Sequence, residues 1–80
     1  MKLQKAVAMR VCDLLIKSNL SRYAFCKNIG MPEQTLKHIL HEEYKSIKLS
    51  TIAKIADGFD LSIEEFFKDT LFKKENLDLE

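Results

Sequence analysis

One glycine between two short helical patterns constrains this chain more than any other feature. It is Gly30, inside the stretch from Leu20 to Leu40, LSRYAFCKNIGMPEQTLKHIL. The pattern before it runs from Ser21 to about Asn28, with Ala24, Phe25 and Ile29 on its apolar side. The pattern after it starts at Pro32, with Leu36, Ile39 and Leu40 inward and Glu33, Gln34, Lys37, His38 and His41 outward. Glycine takes a positive φ at little steric cost, so one helix can stop there and the next leave at a steep angle.

Three further helices flank this pair. Leu3, Val7, Val11, Leu14 and Leu15 recur at helical spacing over about Leu3 to Lys17, and Ser18-Asn19 ends that run. Ser21 is placed to cap the second helix, and Pro32 suits the first turn of the third. Residues 41–48, HEEYKSIK, show no sustained period and read as a loop. A fourth helix begins near Leu49, carries Ile52, Ala53, Ile55, Ala56 and Phe59 on one stripe, and ends near Gly58-Phe59-Asp60. Ser62 and Glu65 form a capping box before Phe66 and Phe67, opening a fifth helix that reaches Phe72. The expected fold is all-α: one five-helix bundle over residues 1–73, then a frayed tail at 74–80 in which Leu77 and Leu79 are apolar enough to dock.

Composition narrows the function classes. Eighty residues, 46% hydrophobic, suffice for one helical core but leave no room for a second domain or a large substrate cleft. No apolar run approaches the roughly 18 residues of a membrane span, and Arg10, Asp13 and Lys17 interrupt the first helix. Cys12 and Cys26 sit in apolar helical patterns and read as small buried thiols of a reduced, cytoplasmic protein. Neither has a metal-ligand partner at useful spacing, and His38 and His41 have no oriented acid, so neither a metal site nor a catalytic constellation emerges. No cofactor is expected. The net charge of +1 hides an asymmetry: residues 1–56 carry ten Lys/Arg against four acids, residues 57–80 three against eight. A polyanion would be attracted to the first part and repelled by the second.

Two helices meeting through a glycine turn form the arrangement by which a helix-turn-helix offers its second helix to the DNA major groove. The residues resemble a known group at this point, the Cro/phage-repressor type of regulator often called the XRE family. LSRYAFCKNIG is similar to the family's Leu-Ser/Thr-Gln-x-x-Leu-Ala-x-x-x-Gly segment, and TLKHIL follows it. LSTIAKIADGFDLSIEEFF resembles the closing Leu-x-x-Leu-x-x-Ile-Ala-x-x-Leu-x-Val-Ser-x-x-Glu-Leu-Phe, in the expected order and spacing. The resemblance covers about Val11 to Phe67 and implies a sequence-specific regulator of double-stranded DNA, most simply a repressor that occludes polymerase.

Carried onto this chain, the family's groove-facing positions fall on Glu33, Gln34, Lys37 and His38, and its backbone-contacting positions on Arg22, Lys45, Ser46 and Lys48. Gln34 suits adenine N6 and N7, Lys37 suits guanine O6 or N7, and Glu33 suits cytosine N4; the base preferred by His38 depends on its tautomer. The chain departs from the family at Arg22 for glutamine, Pro32 for a small polar residue, Cys26 for alanine and Glu42 for glycine. The last change implies a loop of different shape. Leu15, Ile16, Leu71 and Phe72 add apolar surface, either packed within the monomer or forming a twofold homodimer interface. A rival reading stays open, in which the same fold holds a protein partner such as a toxin or another regulator; the acids Glu33, Glu42 and Glu43 and these surplus apolar residues favour it.

Overall fold

A computed structural model describes residues 1–79. Its helices are α1 (Leu3–Ser18), α2 (Arg22–Ile29), α3 (Glu33–Leu40), α4 (Leu49–Gly58) and α5 (Ile63–Phe67), followed by 3-10 turns at Thr70–Phe72 and Lys74–Asn76. Among the described residues there is no strand, only one isolated parallel bridge between Lys2 and Asp78. The all-helical expectation holds.

The first four helices stop by the same device. One residue at each end turns left-handed: Asn19 (φ 54°), Gly30 (φ 68°), Glu42 (φ 58°) and Asp60 (φ 60°). The next N–H then reaches back five residues. Leu20 donates to Leu15 at 3.0 Å, Met31 to Cys26 at 3.0 Å, Glu43 to His38 at 2.9 Å and Leu61 to Ala56 at 2.9 Å. This is the Schellman closure, which satisfies carbonyls that a helix end leaves unpaired. Leu20, Met31 and Leu61 then pack on the core, so each stop also redirects the chain over it. Glycine takes this conformation freely and Asn or Asp tolerate it, whereas a glutamate is strained there. Glu42 nevertheless adopts it, so the turn keeps the closure a glycine would give, contrary to the expected change of shape.

Helix starts agree closely with the sequence. Ser21 Oγ accepts from the Ala24 N–H at 3.1 Å. Ser62 and Glu65 form the full capping box, with reciprocal bonds of 3.1 and 2.9 Å. Pro32 caps α3 from one position before the helix rather than lying within its first turn.

The core gathers Val7, Val11 and Leu15 of α1, Phe25 and Cys26 of α2, Leu36 and Ile39 of α3, Ile52, Ile55 and Ala56 of α4, and Phe66 of α5. Each such large side chain contributes roughly 1.5–3 kcal/mol by leaving water. Phe25 stacks on Phe59 with ring centroids 4.2 Å apart. Gly58 allows that stacking: a Cβ there would lie 2.5 Å from Ile29 Cγ2 and 2.9 Å from the Phe25 ring.

Several expectations are corrected. Cys12 is exposed, since it lies off the buried stripe of α1, and Cys26 alone is a buried thiol. Leu3 is 43% exposed, at the end of α1 where no helix covers it. The fifth helix stops at Phe67 instead of reaching Phe72. At this end Arg10, buried in α1, donates to the carbonyls of Phe66 (2.7 Å) and Glu65 (3.0 Å). Asp69 holds Arg10 at 3.5 Å and caps the next turn by accepting from the Leu71 N–H. Leu15 and Phe72 belong to the monomer: Leu15 is 7% exposed, and Phe72 meets Phe67 edge-on at 4.8 Å. Of the four apolar residues suggested for an interface, Ile16 stays open at 78% exposure and Leu71 is half-buried. After Phe72 the chain is held against its own start, where the Met1 ammonium donates to Asn76 O and the Asp78 N–H to Met1 O, both at 2.8 Å.

Candidate nucleic-acid interface

Because Leu36 and Ile39 are buried almost completely, the opposite face of α3 must point outward. Glu33, Gln34 and Lys37 stand exposed on it, and no other element covers them. His38 is half-buried. Glu33 lies in the first turn, where a carboxylate meets the positive end of the helix dipole, so it stabilises α3 whatever else it does. Pro32 presents no N–H at this helix start.

Behind that face, α2 sets the angle of α3. Phe25 and Cys26 fix α2 in the core, and Gly30 makes the turn with open space around its Cα. Burial, and next the Glu33 carboxylate, push the Cys26 thiol above its ordinary pKa, while the Arg22 guanidinium pulls the other way. A protonated thiol is a packing group there. Arg22 itself is half-buried at the start of α2.

The loop after α3 alternates in direction. Tyr44 and Ile47 pack against the core, whereas Lys45, Ser46 and Lys48 are exposed. Gln4 of α1 donates to the Lys45 carbonyl at 2.6 Å and ties the loop to the body of the domain. Lys48 then serves as the extended residue before α4. Among the described residues, Lys27, Lys37, Lys45 and Lys48 make no ion pair, so their charges remain available to an anion. Arg10 differs: its charge is consumed in the core and lends nothing to this surface.

Thus the structure brings Gln34, Lys37 and His38 onto one helix, with the 45–48 loop as a separate, anchored ridge after it. Tyr44 gives no functional signal in the sequence, yet it touches this site. Its ring meets His38 edge-on with centroids 5.4 Å apart, and its hydroxyl lies 3.2 Å from His38 Nδ1. On the other side, Gln34 Nε2 is 2.9 Å from His38 Nε2, and the Glu43 carboxylate is 3.8 Å from the same nitrogen. Six-residue spacing to a loop tyrosine gives no periodic signal; only the Schellman turn at Glu42 brings it back. No group of three or more potential metal-ligating His, Cys, Asp or Glu occurs among the described residues, and none of their helices is long and apolar enough to cross a membrane.

The comparisons with known proteins agree with this geometry. The model of the Cro/C1-type HTH DNA-binding domain matches residues 9–70. An HTH_3 family transcriptional regulator from Vibrio cholerae is similar in structure, with a TM-score of 0.72 and 28% identity over 80% of this chain and 35% of that one. Apo-HppE shares the fold at a TM-score of 0.66, with 15% identity over 96% of this chain and 43% of that one. This chain therefore spans less than half the length of either solved protein. No curated protein matches it in sequence. With α2, the Gly30 turn and α3 inside the matched residues, the chain belongs to the Cro/C1-type helix-turn-helix DNA-binding domains.

Proposed function

We propose that the chain is a sequence-specific transcriptional regulator that lays α3 in the major groove of double-stranded DNA and represses by occluding polymerase. The observation that carries this reading is the uncovered outer face of α3, held by a fully buried inner one. In the proposal Gln34, Lys37 and Glu33 meet base edges, with His38 beside them on the same helix. Arg22, Lys45, Ser46 and Lys48 meet the phosphate backbone and set the register without reading sequence. Residues 1–73 act as the binding unit, without catalysis, and the place of action is the cytoplasm. Two copies bind two half-sites one helical turn apart, roughly 34–36 Å, with Ile16 and Leu71 as the apolar residues open to such a pairing.

Selection of bound sequences from a random duplex pool tests the reading directly. A defined motif is expected, symmetric if the domain pairs. Replacing Lys45 and Lys48 with alanine should weaken binding to all duplexes and flatten the salt dependence by roughly 0.9 for each phosphate no longer neutralised. Gln34→Ala should instead relax preference at particular base pairs, by about 1–3 kcal/mol. The three acids Glu33, Glu42 and Glu43 favour the second reading, a domain that holds a protein partner. Failure to retain any duplex at low salt, together with a tight protein partner, would choose it.

A further inference from the structure

A glutamine on a helix surface ordinarily rotates freely and can offer its carbonyl or its amino group to a base. Gln34 is held. Its side-chain nitrogen lies 2.9 Å from His38 Nε2, one turn along α3. An amide NH2 can only donate, so this contact selects the tautomer with Nε2 as acceptor and the proton on Nδ1, against the pull of the Glu43 carboxylate 3.8 Å from Nε2. Nδ1 lies 3.2 Å from the Tyr44 hydroxyl, which accepts from it. Tyr44 is itself fixed: it packs against the core and meets the imidazole edge-on. The His38 side chain retains only 31% exposure. A loose surface pair at this spacing would have no such anchor.

We propose that His38 and Tyr44 are positioning residues for Gln34. The Tyr44 hydroxyl and ring hold the imidazole of His38 in place, and Nε2 of that ring holds one amide proton of Gln34. The side chain of Gln34 then faces outward with its carbonyl oxygen and its second N–H as an adjacent acceptor–donor pair. That pair matches adenine, whose major-groove edge offers the N6 amino group and the N7 acceptor, and mismatches guanine, which offers two acceptors. This inference rests on the DNA-reading role of α3 proposed above, and assigns the residues that choose its base.

The experiment compares duplex selection by the unaltered domain, Gln34→Ala, His38→Leu, His38→Gln and Tyr44→Phe, with ring-nitrogen NMR of His38 in the free protein. The expected NMR result is the Nδ1–H tautomer. His38→Leu, which cannot accept, should lose roughly tenfold in adenine discrimination at the base pair that Gln34→Ala also affects. His38→Gln restores an acceptor at the same reach and should retain the preference. Tyr44→Phe keeps the ring packing, so it remains folded even if the leucine variant does not; it should blur the same base pair. Adenine discrimination that survives both His38→Leu and Tyr44→Phe while Gln34→Ala abolishes it, or an Nε2–H tautomer, would overturn the relay and leave DNA reading intact. An unaltered domain with no base preference would overturn both.

Discussion

Glu42→Gly should make the domain more stable, although glycine is usually a destabilising residue. Glu42 closes α3 with φ 58°, donating to Ile39 O at 3.1 Å while Glu43 donates to His38 O at 2.9 Å. An L-residue in this region costs roughly 1–2 kcal/mol. Glycine avoids that cost but loses about 0.5–1 kcal/mol more backbone entropy on folding. The conformational gain is then about 0.5–1 kcal/mol. Removing an anion from the negative end of the helix dipole adds roughly 0.3–1 kcal/mol at low salt. Together they amount to about 0.8–2 kcal/mol, and each kcal/mol raises the melting temperature of a domain this size by roughly 4–8 °C. Thermal unfolding measured by circular dichroism gives the value. Glu42→Ala separates the causes, since it removes the charge and keeps the Cβ. In about 1 M salt, where charges are screened over roughly 3 Å, the alanine variant should lose most of its gain and the glycine variant should keep the conformational part. Equal stabilities of the two variants in high salt would refute the argument that strain at Glu42 is stored in this turn.

Gly58→Ala should destabilise by about 1–3 kcal/mol, read as a lower urea midpoint, because its Cβ would collide with Ile29 and the Phe25 ring. In the capping box, the Ser62 N–H bond holds the Glu65 carboxyl below its ordinary pKa. A depressed folded pKa means stability that is present above the ordinary carboxylate value and lost as pH falls through the folded one; Glu65→Gln should flatten the acid side of the stability profile. Iodoacetamide should modify Cys12 in the native protein and reach Cys26 only on unfolding, since Cys26 is 3% exposed and its thiol is pushed up in pKa.

Where local chemistry decides an element, the sequence was enough. Ser21 and Ser62 cap their helices because a hydroxyl three residues before an N–H needs no tertiary help. Gly30 and Asp60 mark left-handed stops by residue type alone. Where a distant group decides, the sequence misleads. Phe66, Phe67, Leu71 and Phe72 have the spacing of one helix, yet α5 ends at Phe67, where the carbonyls of Glu65 and Phe66 accept from Arg10, 55 and 56 residues earlier. The same side chain misleads the charge count, since a buried arginine looks in sequence like any other cation. Glu42 gives no stop signal either. Its left-handed turn leads into the loop whose Tyr44 and Ile47 pack back on the core.

The binding face shows the same division at closer range. The outward positions of α3 are readable from a period of 3.6 residues, and Gln34 and His38, four apart, are neighbours on any helix. What that period does not contain is the state of those side chains. The Gln34 amide has two ends, and the helix alone chooses neither. In the arrangement proposed above the choice comes from His38 Nε2, and Tyr44, which holds that ring, reaches it because the chain reverses at Glu42. A strained glutamate, a loop tyrosine and a half-buried histidine are therefore parts of one arrangement. Base preference at Gln34 should be sensitive to loop residues that need not touch DNA at all.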